Sequence, residues 1–300
     1  MAVAIPYVRA IDIEYGRVDR ISPLVRRVTA NNPSPFTYKG TGTYIVGRGE
    51  VAVIDPGPLD RMHLAALQRA LAGERIAHIL ITHTHNDHSP LARALKERLG
   101  GRTFGYGPHG SGKALEGVIV EEGGDMEFAP DVAVKDGALV VGQGYTFECV
   151  YTPGHTSNHM CYALREEKAL FTGDHVMGWS TTVIVPPDGD MRAYMASLHK
   201  LAAREDRALL PTHGPPITDP KPFLAALIAH REEREAQIIE CLQDGIARIP
   251  DMVARIYADV DPRLHPAAAL SVLAHLLKLI SEGRVVSEGA ATLSARYTLI

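Results

Sequence analysis

The sequence has little cysteine, and its cysteines form no recognisable framework. Three occur in 300 residues, at Cys149, Cys161 and Cys241, which is an odd number outside any C-x-x-C pattern. Disulfide scaffolds and thiolate metal sites use cysteines at short, paired spacings, so neither is indicated. We interpret the three thiols as small, buried apolar side chains in a reducing compartment.

Long apolar runs and net charge are also scarce. No stretch approaches the roughly 18 consecutive apolar residues of a membrane helix, and residues 1–20 lack the basic and apolar regions of a secretory signal. The net charge of −4 gives no electrostatic reason to expect nucleic acid or an acidic membrane as a partner. We therefore expect a soluble cytoplasmic protein with no membrane partner.

What is present is an ordinary globular composition, 46% hydrophobic and 22% charged, which can bury a core. The length predicts one large domain and a small one. Residues 40–57 alternate as a hairpin around "GRGE", 60–73 have helical spacing, and "IAHILIT" fits a buried strand. Residues 89–101 predict a helix with Ser89 as N-cap and Pro90 at its first position.

Three later strand patterns, around residues 145–155, 168–177 and 207–216, each run into a polar loop, and 190–205 predicts an amphipathic helix. Beyond a proline-rich junction at 215–223 the character changes. Three helical patterns and a terminal hairpin pattern follow, which is the outline of a winged helix. We place the domain boundary between residues 220 and 221.

The loop "THTHNDH" follows the buried strand pattern, where α/β folds present functional groups. His83 and His85 are two residues apart, so their side chains can point the same way from an extended backbone. Asp87 and His88 can aim at a second point nearby. The loop can therefore hold two metal ions, and its imidazole and carboxylate ligands suit zinc, iron or manganese.

Further ligands are expected at other strand ends, and the sequence provides them. His155 in "TPGH", Asp174 in "FTGD" and His213 in "LPTH" each follow an apolar, strand-like run. This repeated arrangement of a strand followed by a ligand indicates a metal centre more strongly than any single motif does.

These motifs resemble the metallo-β-lactamase superfamily, whose signature T-H-x-H-x-D-H corresponds to Thr82–His88. The resemblance covers roughly Pro6 to Pro216. It implies a four-layer αβ/βα sandwich as the catalytic domain, residues 1–220, with a winged-helix domain at 221–300. It also implies a ligand set. His83, His85 and His155 hold the first metal, Asp87, His88 and His213 hold the second, and Asp174 bridges the two.

Two divalent cations that share a water lower its pKa to near neutrality, so the site predicts hydrolysis by a metal-bridging hydroxide. Asp87 is the expected catalytic residue, accepting or orienting the proton of that water. The resemblance implies a finer point. True β-lactamases of the superfamily usually have cysteine or serine where this chain has Asp174, so β-lactam hydrolysis is expected only as a low-level promiscuous activity.

A closer resemblance is to the lactamase-beta-2-like and glyoxalase-II-like branch, on the stretches "NNPSPFTYKGTGTYIVG" and "TPGHTSNHMCY". Gly42 departs from it, since the branch commonly has asparagine there, and this predicts a looser loop. The resemblance leaves two substrate hypotheses. One is a small ester, thioester or lactone, and the other is single-stranded RNA, cleaved by a phosphodiesterase.

Each hypothesis predicts its own surroundings for the metals. Small-molecule hydrolysis needs an apolar pocket, walled by Trp179, Val183 and Tyr194, although Trp179 could instead anchor its loop and Tyr194 could belong to a helix core. RNA cleavage needs a basic track, for which the candidates are Arg102, Lys113, Arg192 and Lys200.

The C-terminal segment adds little to the RNA hypothesis. Residues 221–300 hold nine Lys or Arg and ten Asp or Glu, whereas a duplex-reading wing is normally basic. We expect the segment to cover the site edge or to form a homodimer. Residues 107–114, "GPHGSGKA", nearly match a phosphate-binding loop but lack its Ser or Thr, so we predict a surface loop.

Overall fold

The computed structural model describes residues 3–110 and 123–300, and two facing β-sheets form its centre. The first sheet has seven strands in chain order, antiparallel from β1 to β4 and parallel from β4 to β7. Its strands are β1 Val18–Arg20, β2 Val25–Thr29, β3 Gly42–Arg48, β4 Glu50–Ile54, β5 Arg75–Leu80, β6 Arg102–Gly105 and β7 Val132–Ala133.

The second sheet has five strands in the order β12-β11-β10-β9-β8, and only β11 and β12 are parallel. Its strands are β8 Leu139–Gly142, β9 Tyr145–Tyr151, β10 Met160–Leu164, β11 Ala169–Gly173 and β12 Ala208–Pro211. The inner faces share one core that includes Tyr44, Val46, Phe147 and Phe171. Both faces of each sheet are covered, which is why β5, β10 and β11 are nearly continuous apolar runs.

Helices cover the two outer faces. Helices α1 (Arg61–Ala70) and α2 (Leu91–Leu99) pack on the first sheet through Leu64, Leu67 and Leu95. Helices α3 (Met191–Ala202) and α4 (Pro220–Gln243) pack on the second sheet. The order helix, sheet, sheet, helix confirms the predicted four-layer αβ/βα sandwich.

The C-terminal segment contains helix α5 (Ile249–Ile256), a 3₁₀ turn (Pro262–Leu264), helix α6 (His265–Ser281) and an antiparallel hairpin of β13 (Val285–Ser287) and β14 (Tyr297–Leu299). These elements share a second core with the end of α4, so the predicted winged helix is present. Helix α4 contributes both to this C-terminal core and to the core outside the second sheet, and the boundary at 220/221 stays a prediction.

The segment Pro262–Ser281 is long and apolar enough to cross a membrane by length and composition. Half of its most apolar window is buried in the protein, and Leu270, Val272 and Leu276 are almost wholly inaccessible. A buried core helix passes the same test, so this is weak evidence for a membrane span.

Two local predictions have a different outcome. Ser89 does not cap α2, because the helix begins one residue later with Pro90 as N-cap and the Ser89 hydroxyl donates to Asp125 instead, at 2.8 Å. Of the predicted surface loop at 107–114, residues 111–114 lie outside the described residues, and so does Lys113 of the proposed basic track.

Candidate metal centre

The seven predicted ligands converge at one edge of the two sheets because each lies just beyond a strand end. The cluster 83–88 follows β5, His155 follows β9, Asp174 follows β11 and His213 follows β12. Six of the seven are buried, and His85 is partly exposed. The structure therefore brings together every predicted ligand.

Three imidazoles form the first group. The His83 Nε2 atom lies 2.9 Å from Nδ1 of His85, and Nε2 of His155 lies 3.1 Å from the same Nδ1. These three ring nitrogens lie within 4.8 Å of one another and form a trigonal face, which is a typical arrangement for binding zinc or iron.

The second group combines imidazole with carboxylate. Oδ2 of Asp87 lies 3.1 Å from Nε2 of His213 and 3.3 Å from Nε2 of His88. Asp174 lies between the two groups. Its Oδ1 is 3.5 Å from Nε2 of His88. Its Oδ2 is 3.3 Å from Nε2 of His213 and 3.9 Å from Nε2 of His155. A bridging position for Asp174 fits these distances.

The donor set fits a pair of divalent cations. Within the described ranges, Nε2 of His88 and Oδ1 of Asp174 are buried without a hydrogen-bond partner, which a shared cation would remedy. Burial, reinforced by neighbouring imidazoles, lowers the pKa of His83 and His85 well below the usual value, so both rings are in the neutral form that binds metals. The donor atoms lie within 4.8 Å of one another in three groups, His83–His85–His155, His83–His88–Asp174 and Asp87–His88–His213.

Electrostatics also favour a cation. Burial raises the pKa of Asp87 and Asp174, but the imidazoles of His88 and His213 outweigh it and hold both pKa values well below the usual range. Conversely, burial lowers the pKa of His213, and the two carboxylates overcome this and raise it to about 10. The carboxylates thus create a negative potential strong enough to retain positive charge in a buried site.

Glycines let the ligand loops turn tightly at the strand ends. Gly173 has φ +50°, and a Cβ atom there would lie 2.6 Å from Nε2 of His159 and 2.7 Å from Oγ1 of Thr82. Gly154 has φ +138°, and its Cβ would lie 2.3 Å from Cα of Tyr194. Only glycine fits such close approaches, so the glycines of "FTGD" and "TPGH" position Asp174 and His155.

Asp55, at the end of β4, is a residue that sequence reasoning missed. Its carboxylate accepts hydrogen bonds from the amide and hydroxyl of Thr82 at 2.8 and 2.7 Å, and from the Thr212 hydroxyl at 3.1 Å. It also lies 2.9 Å from Nδ1 of His88, orienting that ring so that Nε2 faces the metal centre. An available signal was the position of Asp55 directly after a strand, as for the ligands.

Other supporting groups come from the backbone and from Thr41. The carbonyl of Val183 lies 2.9 Å from Nδ1 of His155, and the carbonyl of Gly40 lies 3.3 Å from Nδ1 of His213. The Thr41 hydroxyl donates to Oδ2 of Asp87 at 2.9 Å. No side-chain pattern encodes backbone acceptors, so the sequence offered no signal for them.

The two predicted substrate contacts differ in placement. Trp179 is half-buried beside Gly214, the neighbour of His213, and stacks on Tyr38 with ring centroids 4.8 Å apart. Tyr194 is fully buried behind the site and its hydroxyl donates to the carbonyl of His175 at 3.0 Å. Tyr194 is therefore a core residue in this structure, because α3 turns it toward the second sheet.

Two of the four candidates for the basic track, Arg102 and Lys200, do not support it. Arg102 opens β6, at the strand end opposite the ligands. Lys200 on α3 donates to Asp136 at 2.6 Å and to the carbonyl of Tyr151 at 3.0 Å. His109, which seemed unremarkable in the sequence, lies beside the ligand loop, with its Nδ1 2.8 Å from Oγ1 of Thr84.

Comparison with known proteins agrees with this geometry. Residues 39–213 match the family model described as Metallo-beta-lactamase superfamily, and 249–292 match Beta-lactamase associated winged helix domain. The chain is 32% identical to the Beta-lactamase-like protein 2 homolog of Caenorhabditis elegans, over 89% of this chain and 88% of the relative. It is 35% identical to an Atrochrysone carboxyl ACP thioesterase of Aspergillus fumigatus, over 76% of this chain and 67% of the relative.

Two solved structures share the fold over nearly the whole chain. A Beta-lactamase domain protein from Burkholderia ambifaria superposes with a TM-score of 0.78 at 21% identity, covering 99% of this chain and 97% of that one. A metallo-beta-lactamase family protein from Thermus thermophilus gives a TM-score of 0.74 at 24% identity, covering 94% and 100%. The likeness includes the C-terminal elements as well as the sandwich.

Proposed function

We propose that this chain, which belongs to the metallo-beta-lactamase superfamily and is therefore a hydrolase, is a dinuclear metal-dependent enzyme that cleaves a small thioester, ester or lactone. The observation that carries the proposal is the position of Asp174 between two ligand groups, within 3.3–3.9 Å of His88, His155 and His213. Such a pair of adjoining groups suits two cations that act on one reacting bond.

The residues around that bond have separate tasks. When bound, two divalent cations supply Lewis-acid polarisation and lower the pKa of a shared water. Asp87 is ionised at neutral pH, because its pKa is held well below the usual range, so it can accept the hydrogen bond that orients the attacking water. Thr41 fixes the Asp87 carboxylate through the bond to Oδ2, and Asp55 fixes His88.

A thioester is the substrate class that we favour. The fungal relative named as an ACP thioesterase is 35% identical to this chain, and a second, from Cryptosporiopsis, is 29% identical over 90% of it. The half-buried Trp179–Tyr38 stack beside Gly214 supplies an apolar surface next to the site. Single-stranded RNA is less favoured, since Arg102 lies at the opposite strand end and Lys200 is paired with Asp136.

The test is thiol release from a series of acyl thioesters, with the protein loaded in turn with zinc, iron or manganese. End-labelled single-stranded RNA and a lactone series are assayed in parallel. We expect thioester cleavage that requires metal. Cleavage should fall by at least about 10- to 100-fold in Asp174→Ala, because this change removes a ligand of both cations and should cost no less than the loss of an outer-shell partner. His199→Ala, which changes an exposed histidine on α3, serves as the matched control.

If the protein cleaves RNA and none of the thioesters or lactones, the substrate is a phosphodiester and not a thioester. If the fully metal-loaded protein hydrolyses none of these substrates, the proposal is contradicted.

We further propose that the metal is zinc, that the protein is cytoplasmic and that it forms a homodimer. Metal analysis of the purified protein, localisation of a tagged chain and sedimentation test these in turn.

A further inference from the structure

Helix α4 carries a buried cation that the proposed chemistry does not use. Arg231 is 3% exposed, and the part of the chain that the structure describes supplies no carboxylate to pair with it. Burying a guanidinium without a counter-ion is costly unless other groups compensate. Its contacts are therefore informative about why it is there.

Those contacts connect three elements. One Nη atom donates to the carbonyl of Thr182, and the other lies 3.4 Å from the Ser271 hydroxyl on α6. The guanidinium also stands 5.3 Å from the ring centroid of Tyr194 on α3. Arg231 thus links the C-terminal helices to the loop that follows Asp174.

That loop touches the metal centre at two points. The Thr182 hydroxyl donates to the backbone carbonyl of Asp174, the predicted bridging ligand. The next residue, Val183, provides the carbonyl that lies 2.9 Å from Nδ1 of His155, and this contact sets which ring nitrogen faces the metals. Two consecutive residues therefore contact two of the predicted ligands, Asp174 and His155, and Arg231 contacts the first of these residues.

We propose that Arg231 is a positioning residue for the metal centre, through which the C-terminal helices hold the Thr182–Val183 segment against Asp174 and His155. Loss of the guanidinium frees the Thr182 carbonyl and lets the segment shift, which loosens both ligands. The inference rests on the proposed metal-binding role of these ligands, and it is independent of the substrate.

The test measures zinc release from the full-length, zinc-loaded protein to an excess of a chromophoric chelator. The variants are Arg231→Met, which keeps the length of the side chain without its donors, and Arg231→Lys, which keeps one donor group. Arg234→Met is the matched control, because Arg234 lies on the same helix but contacts Gln237 and Ile256 instead. Melting of each variant is followed by circular dichroism.

We expect Arg231→Met to release zinc about 10-fold faster than wild type, as changes to outer-shell partners typically weaken metal sites by about 10- to 100-fold. Arg231→Lys should recover part of the effect, and Arg234→Met should match wild type. Folded Arg231→Met that releases zinc no faster than Arg234→Met would overturn the inference.

A second pair of variants covers the case in which Arg231→Met does not fold. Thr182→Val removes the hydroxyl that donates to Asp174, whereas Thr182→Ser keeps it. Faster release from the valine variant than from the serine variant supports the contact between the segment and Asp174 on which the inference depends, and equal rates contradict the inference. Wild-type protein that binds no zinc, iron or manganese would instead refute the proposed function.

Discussion

At the scale of single residues, the contact between the Asp55 carboxylate and Nδ1 of His88 fixes the orientation of the His88 ring toward the metal centre. Asp55 is wholly buried with φ +47°, a backbone region that non-glycine residues seldom adopt. Strain of this kind persists only where the surroundings over-determine it, and here four donor contacts from Thr82, Thr212 and His88 do so.

Asp55→Asn should therefore weaken metal binding without removing a ligand. The amide nitrogen of asparagine would face donors where a carboxylate oxygen now accepts, so His88 loses its orientation. We expect about 10- to 100-fold lower metal affinity, measured by competition with a chelator. Asp19→Asn is the control, because the carboxylate of Asp19 pairs with Arg17, which is not part of the metal centre. Equal affinities in the two variants would contradict this role for Asp55.

The structure explains why position 42 is a glycine, which the sequence alone did not show. The predicted loosening of a loop is wrong, because Gly42 lies in β3 and its amide donates to the carbonyl of Thr212 at 2.9 Å. A Cβ atom there would lie 2.8 Å from Cδ of Arg27. Arg27 uses that space to reach the carbonyl of Gly214, beside His213, at 2.9 Å.

Gly42→Asn should accordingly destabilise the protein. Over-packing against the side chain of Arg27 should cost about 1–3 kcal/mol in the free energy of unfolding, measured by denaturant titration. Gly49→Asn is the control, since nothing lies within 4 Å of its added Cβ and asparagine tolerates the φ of +72° there. The reverse order of stabilities would argue against the steric explanation.

The convergence of the seven predicted ligands on one sheet edge could be predicted, because ligand type and strand-end order are both local features of the sequence. Asp55 follows a strand as the predicted ligands do, but its role and that of Arg231 could not be predicted, since their partners lie 27–157 and 40–49 residues away, respectively. Tyr194 shows the same limit. Its spacing fitted either a pocket wall or a helix core, and only the packing of α3 separates these.

At the scale of elements, the spacing of apolar residues predicted the helices and strands, but it did not predict where each helix begins. The hairpin of β3 and β4, the buried strand β5 and the C-terminal helices confirm the predicted patterns. Ser89 was a wrong N-cap because its hydroxyl found a tertiary partner, Asp125. By contrast, Asp60 caps α1 through the amide of Met62 at 2.7 Å. A side chain that favours the N-cap position does not cap the helix when an acceptor elsewhere in the fold takes its hydrogen bond.

Helix α1 docks on the first sheet through a histidine that should make its stability depend on pH. Burial lowers the pKa of His63 from 6.5 to about 4, and its Nε2 lies 2.8 Å from Oγ1 of Thr43. As pH falls through 6.5, the unfolded chain binds the proton before the folded one does. Stability from this group is therefore full above 6.5 and decreases toward pH 4.

We expect wild type to lose about 2 kcal/mol more than His63→Gln between about pH 7 and pH 5, since one pKa unit corresponds to about 1.4 kcal/mol. Denaturant unfolding at each pH measures the difference, and glutamine can keep the contact with Thr43. His199→Gln, at an exposed position of α3, should follow wild type. Parallel pH profiles for wild type and His63→Gln would show that His63 does not control the acid response.

At the scale of the whole molecule, α4 joins the sandwich to the winged helix. Its first half places Phe223, Leu224 and Leu227 in the core outside the second sheet, and its second half places Ile238 and Leu242 in the C-terminal core. A change in composition marked the junction at residues 215–223, but composition does not record that one helix serves two cores. Cutting the chain at different points along α4 therefore separates their contributions.

A chain of residues 1–220 should fail to fold, whereas residues 1–237 should fold with a cooperative melt. The shorter chain lacks three apolar side chains whose burial stabilises by about 1.5–3 kcal/mol each, a loss comparable to the total stability of about 5–15 kcal/mol for a typical domain. The longer chain keeps them, keeps Arg231 beside Thr182, and ends before the apolar residues of the C-terminal core. Thermal melting and light scattering compare the two. Residues 1–220 melting cooperatively within a few degrees of 1–237 would make α4 a part of the C-terminal domain alone.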